Sequence, residues 1–403
     1  MIKKFFYPPF LGVVFLLPFF PSEGLAQDIA QAGKTSKGKP FILSADVRGS
    51  YDDNVNTSSD GNEDAAWALR VTPSIQFLYP MDNTSIEAGY AFGYNQFFGR
   101  EGDEDVDFTH DFNFLINHRV NNRLVLSLRN RFSFDQEDAL SDGAGFQRRL
   151  GGDRVRNNAA LTITYDITER FSTLTNYSNE FVHYFDDPSA FNNNYLSHEV
   201  SQQIRFQALQ GTTPFLNYEY ETFDYDEIAR DRDSHRALAG VDHFLLPEWL
   251  VSARVGAEFT LFDNSAFSDN LGPFASVRTI WNYDQRSNMN AGYSFGTNVT
   301  DNGSFASSQA HTFNVEWRHY WTPKFNLGLS VQYQLESFDT SQGFANATQD
   351  VTEQTITPRI RAAYDFTDYL QASVTYSYTE VFSDLAAREY DRNLISFGIT
   401  GRY

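Results

Sequence analysis

Between Phe325 and Glu336 the chain changes polarity at every step. Phe325, Leu327, Leu329, Val331, Tyr333 and Leu335 alternate with Asn326, Gly328, Ser330, Gln332, Gln334 and Glu336. Successive side chains leave a β-strand on opposite faces, so this period of two describes a strand with one apolar and one polar face. Strands of soluble domains usually end after about five or six residues. A strand about twice that length needs a thick apolar layer along one side, and a tilted membrane crossing supplies it. The same sorting places Val251, Ala253, Val255, Ala257 and Phe259 against Ser252, Arg254, Gly256 and Glu258. It also places Leu370, Ala372, Val374 and Tyr376 against Gln371, Ser373 and Thr375. The apolar sets are read as facing lipid and the polar sets as facing water inside a closed barrel.

The connections point the same way. Short turns at 80–83, 120–122, 167–170, 210–213, 246–248, 282–286, 321–324 and 366–369 carry Asn, Asp, Gly or Pro at the bend (at 167–170 the Asp is residue 166, just before it), which is hairpin chemistry. Between them lie longer acidic stretches such as 52–64, 99–107 and 135–153. Strict alternation of short and long connections is the habit of outer-membrane barrels, with short periplasmic turns and long external loops. A soluble sandwich or propeller has no reason for it. The expected fold is all-β, a transmembrane antiparallel up-and-down barrel of about 18 strands, with 16 as the alternative count. The chain ends on another alternating segment, with Ile395, Phe397, Ile399 and Tyr403 on one face. Closure matters because lipid leaves no unpaired backbone group satisfied.

Composition excludes the other classes. The 38 Phe and 22 Tyr are too many for a disordered chain. After the N-terminus there is no apolar run of about twenty residues for a membrane helix. Residues 1–26 have two early lysines, an apolar centre from Phe10 to Phe20, and Gly24 and Ala26 before Gln27, the anatomy of a cleavable secretory signal. Residues 27–40 are expected to be a short periplasmic lead-in, and 41–403 the barrel. With no Cys there is neither a lipoprotein attachment site nor a disulfide framework.

The segment Tyr51-Asp52-Asp53-Asn54, leaving the first strand, resembles the start of the β-barrel porin-2 family. The resemblance spans the mature chain through its architecture and this one short motif. It implies a Gram-negative outer-membrane barrel, often found beside exopolysaccharide and protein-sorting (exosortase) genes, with no catalytic residues.

The chain holds 52 Asp and Glu against 31 Lys and Arg, a net charge of −21. Nearly all of the excess falls in the long connections, so the acidity is read as an external rim, with Asp52, Asp53, Asp103, Glu104 and Asp105 as representatives. Mutual repulsion of solvated loops explains such a rim on its own; cation enrichment at the mouth, or Ca²⁺ or Mg²⁺ bridging to anionic lipid or polysaccharide, are the functional readings. Such a charge gives no reason to expect a nucleic-acid partner. Inside, alternation points Arg48, Arg70, Arg129, Arg131, Arg205, Arg254, Arg278, Arg318, Arg359 and Arg361 into the lumen. Glu87, Glu199, Glu219, Glu258, Glu316 and Glu336 face the same way. Ion pairing among them is the bland expectation; an arginine track for uronates or phosphates is the sharper one, because guanidinium grips carboxylate in a bidentate fork.

Other motifs point less far. Asp52, Asn54, Asn56, Ser58, Asp60 and Glu63 have the spacing of a twelve-residue calcium loop, but Thr57 stands where glycine makes the turn and no helices flank it. Six of the eight His fall in pairs eight apart: His110 with His118, His235 with His243, and His311 with His319. Eight strand residues span roughly 27 Å, too far to share a metal and close to the height of a barrel's apolar band. They are read as amphipathic side chains at the two interfaces, beside Trp249, Trp281, Trp317 and Trp321. Ser197-His198 offers a nucleophile beside a base, but no nucleophile elbow or HExxH occurs, so no enzyme is expected. The expected function is a porin-like channel for hydrophilic solutes. An export conduit for an extracellular polysaccharide and a non-transport structural or surface-interaction barrel are the alternatives.

Overall fold

The computed structural model describes residues 40–100, 105–135, 153–185, 194–226, 230–265, 267–299, 305, 307–339 and 349–403. The expected signal peptide and all of the lead-in except residue 40 lie outside the described residues.

Eighteen strands follow one another. The first six are β1 (Phe41–Asp52), β2 (Ala66–Pro80), β3 (Thr84–Phe98), β4 (Val106–Asn121), β5 (Leu124–Asp135) and β6 (Arg154–Asp166). Next come β7 (Phe171–Tyr184), β8 (Tyr195–Phe206), β9 (Thr212–Tyr225), β10 (Arg232–Leu246), β11 (Trp249–Phe262) and β12 (Asn270–Trp281). The last six are β13 (Asn288–Val299), β14 (Ser307–Tyr320), β15 (Phe325–Phe338), β16 (Val351–Thr367), β17 (Leu370–Ser383) and β18 (Tyr390–Arg402). Every strand pairs antiparallel with its sequence neighbours, and β1 pairs with β18, so the sheet closes without an edge. Among the described residues no helix is long and apolar enough to cross a membrane; crossing is by strands.

Exposure follows the alternation read from the sequence. On β15, Leu329 and Val331 are exposed while Asn326, Gln334 and Glu336 are buried. Outward residues meet lipid, and inward ones share the enclosed wall.

The outer face carries a repeated polar device near the long-loop end. The Tyr90 hydroxyl hydrogen-bonds His110 Nδ1 at 2.9 Å, Tyr177 meets His198 at 3.0 Å, Tyr218 meets His235 at 2.8 Å and Tyr293 meets His311 at 2.9 Å. In each case the histidine lies diagonally across the hairpin, two residues from the direct partner of the tyrosine. The same diagonal is filled by Gln354 under Tyr333 and Asn393 under Tyr376. At the short-turn end His118, His243 and His319 bond Thr84, Thr212 and Tyr283 at 2.8, 2.8 and 3.1 Å. An aromatic ring with one polar end suits a membrane–water boundary, where the polar tip needs a partner or water.

The eight short turns gather at one end of the barrel and the nine longer connections at the other. Outer-membrane barrels keep short turns periplasmic and long loops outside, so the long-loop end is expected to be external. A cysteine at Ser58 should then react with an impermeant maleimide on intact cells, and one at Asn83 should not. The absence of native cysteine makes the readout clean. Labelling at Asn83 alone would invert the placement.

Candidate functional site

Register carries the inner face around the barrel. Arg131 stands opposite Asn113, Glu258 opposite Arg236, Arg254 opposite Ser276 and Arg278 opposite Gly292. Glu316 stands opposite Ser330, Glu336 opposite Ala310, and Arg361 opposite Thr375. By the same parity Arg129, Arg318 and Arg359 share this face.

Ion pairing on the wall is uneven. Arg236, which the sequence reading passed over, lies between two glutamates, 2.8 Å from Glu219 and 3.1 Å from Glu258. Arg205 reaches Asp242 at 2.7 Å and Arg156 reaches Glu180 at 2.8 Å. Arg361 donates to Gln371 at 3.2 Å, and Ser308 donates to Glu336 at 3.0 Å. Glu199 and Glu221 face each other directly across β8 and β9, two acids side by side. Among the described residues no carboxylate lies within salt-bridge distance of Arg129, Arg131, Arg254 or Arg318. The Arg254 and Arg205 guanidinium groups both lie 5.7 Å from the Phe215 ring centroid. That ring lies over Gly240, where a Cβ would stand 2.4 Å from Phe215 Cζ. Ser197 faces inward and is buried, whereas His198 points outward to Tyr177, so this Ser–His neighbour pair cannot act together, and Ser234 with His235 is split the same way.

The long-loop mouth departs from the expected polar interior. Phe97, Tyr184, Tyr195, Phe223, Phe338 and Tyr390 sit on inward positions at strand ends, all buried. Loop residues turn in against this layer: Val55 packs on Ala66 and Phe97, Phe267 on Phe262, and Phe305 on Phe338 and Val351. Val55, Phe267 and Phe305 thus fasten against the wall ends through apolar contacts.

Several acids expected in an open rim belong instead to strand ends and are neutralised there. Asp52 ends β1 and is buried; Arg392 Nε donates to both its oxygens at 2.8 and 2.9 Å. Asp107 is held by the Arg100 fork at 2.9 and 2.9 Å, with the guanidinium 4.0 Å from the Phe97 ring centroid. Asp135 pairs with Arg154 at 3.1 Å, and Glu353 with Arg388 at 2.8 Å. A buried carboxylate requires such a partner, because desolvation of an unpaired charge is too costly. Asp53 accepts from Asn393, Asp105 is exposed, and Asp103 and Glu104 lie outside the described residues.

The calcium-loop spacing is used for anchoring. Asp52 is taken by Arg392, and Asn54 Oδ1 accepts from Ser58 N at 2.8 Å, so neither points at a common centre. Asn56 donates to Asp64 at 3.2 Å. Thr57 does adopt φ 48°, the left-handed turn that glycine would make without strain. Asp60 and Glu63 converge with Asp391, which the spacing does not include, their carboxylate atoms within 4.8 Å of one another. All three are at least partly solvent-accessible, and the Gly61 N–H, donated to Glu63 at 2.7 Å, holds that carboxyl below its ordinary pKa.

Comparison with curated proteins returns no match. Among solved structures the chain resembles a BenF-like porin from Pseudomonas fluorescens Pf-5, at 11% identity over 91% of this chain and 99% of that one, with a TM-score of 0.49. It also resembles the outer membrane protein OpdK from Pseudomonas aeruginosa, at 9% identity over 90% and 98% of the two chains, TM-score 0.48. The siderophore receptor PirA from Pseudomonas aeruginosa gives 11% identity over 91% and 80%, TM-score 0.43. The family described as "Putative beta-barrel porin 2" matches residues 40–403, every residue of the closed barrel, and the chain belongs to that family of outer-membrane porins.

Proposed function

We propose that this outer-membrane channel passes small hydrophilic solutes by passive diffusion, with cations enriched at an acidic external mouth. The observation that carries the reading is the charged inner face of eighteen strands, a barrel wider than its own side chains fill. The four strand tryptophans face outward and the fifth lies in a turn, so they offer no lumenal platform for stacking neutral sugar rings. A second reading, an export conduit for an anionic polysaccharide, draws on Arg129, Arg131, Arg254 and Arg318. Arg129 and Arg131 are neighbours on one face, about 7 Å apart along the strand, and could grip carboxylate or phosphate groups in turn.

Reversal potentials across a salt gradient test the rim. Cation preference should be moderate near 0.1 M salt, where fields reach about 10 Å, and fade in molar salt. Replacing Asp103, Glu104 and Asp105 by their amides should reduce it. Asp52→Asn should act little through the field, because Arg392 already neutralises that carboxylate. Strong anion selectivity at low salt would reject the rim and favour the arginine wall, and block by an anionic sugar polymer would then separate export from diffusion.

A further inference from the structure

Seventeen of the eighteen strand junctions are joined by a covalent turn or loop, which limits how far the two strands can slide. The junction of β1 and β18 has no such tether, and its pairing residues are about 340 positions apart. A slip by one residue would turn every apolar side chain into the lumen, but a slip by two keeps each on its own face. Val47, Ile395, Phe397 and Ile399 are all outward and apolar, so the lipid pattern fits either register. Something other than hydrophobic alternation must select Asp52 opposite Leu394.

The long-loop end of this seam holds three consecutive residues against three others. Asp52 takes the Arg392 guanidinium, buried on both sides. Asp53 accepts the Asn393 backbone N–H at 2.6 Å and its side-chain amide at 2.8 Å. Asn54, fully buried, donates to the Asp391 carbonyl at 3.0 Å and to Ser58 O at 2.8 Å. Each contact is directional and joins chemically different residues. A shift by two would bring Asp52 opposite Arg392 or Ser396 and take Asp53 away from the Asn393 amide. Lower on the same seam Thr400 donates to Asp46 at 2.7 Å, in the same register.

We propose that Asp52, Asp53 and Asn54 form a register lock, which the last strand engages through Asp391–Asn393 to close the barrel. The Tyr-Asp-Asp-Asn turn is on this reading an assembly element rather than a solute or cation site. Its ligand is the chain's own C-terminal strand.

Cysteine pairs read the register directly. Val47→Cys with Ile399→Cys tests the opposed pair, and Val47→Cys with Phe397→Cys the pair offset by two. The full chain is refolded into lipid vesicles, the folded form is scored by its heat-sensitive electrophoretic mobility, and the thiols are oxidised. Without further change only the 47/399 pair should cross-link. Arg392→Met should lower the folded-to-unfolded ratio by roughly 200- to 5,000-fold, the scale for a broken buried ion pair, and shift cross-linking in the remainder toward 47/397. Asp53→Ala, which removes hydrogen bonds without stranding a charge, should give the same shift with milder loss. Arg100→Met breaks a comparable buried pair away from the seam and should leave the register alone. If Arg392→Met leaves too little folded protein to cross-link, a shift toward 47/397 in Asp53→Ala that is absent in Arg100→Met supports the lock. An unchanged 47/399 preference in both Asp53→Ala and Arg392→Met overturns it.

Discussion

Replacing Leu329 by arginine is expected to destabilise the barrel in lipid by about 1–3 kcal/mol, between the midplane and interface costs of a charge on the outer face of a barrel strand. Leu329 points outward and is exposed, five residues up a strand of 14. Gln332→Arg, three residues on and inward, should cost far less, because its new charge enters the space that already holds Arg359 and Arg361 on the adjacent strand. Equilibrium unfolding in vesicles with urea compares the two directly. Equal losses would mean that inner and outer faces of β15 are not separated as lipid and water, and the channel reading would fall with them. The contrast tests solvent on both sides at once, which a single substitution cannot do.

That face assignment was legible because it is local. A period of two needs only one strand, and Leu329 beside Ser330 declares its side without reference to any neighbour. Strand number followed from the turns, which announce themselves with Asn, Asp, Gly and Pro. What the sequence concealed was non-local. Asp52 looks like one more acid in an acidic loop; its arginine is 340 residues away. Phe223 and Tyr225 share the inward parity of Glu219 at the end of β9, but nothing in that stretch shows the buried layer they form with Tyr195. Arg236 follows Asp231, Asp233 and His235, and its bridge between Glu219 and Glu258 exists only once β9 and β11 lie on either side. The candidate rim was therefore overdrawn, with strand-end acids counted as free. The signal available was weak but present: Arg100, Arg154 and Arg388 are basic residues inside or beside otherwise acidic connections. An isolated arginine beside a loop so negative is a candidate partner for one of its acids.

The largest loss away from the seam is expected on removing Arg100. Its guanidinium makes a two-pronged bond to Asp107, 2.9 Å on each prong, and both side chains are only 4% exposed. Phe97 covers one face of the group at 4.0 Å. In this setting the pair's net contribution is small, because Coulomb attraction is largely offset by the desolvation of both ions. Breaking it is different. Arg100→Ala takes the two-pronged bond from the buried Asp107 carboxylate, and the expected cost is about 3–5 kcal/mol. Replacing both residues, Arg100→Met with Asp107→Leu, removes the charge together with its partner and should recover most of that loss. Urea unfolding in vesicles gives both values, and the difference between single and double variants isolates the cost of parting the carboxylate from its fork. A single-variant cost below about 1 kcal/mol is what water-exposed pairs give. That result would show water reaching Asp107 and the apolar layer beneath the long loops standing open, so the measurement reports on the mouth as well as on the pair.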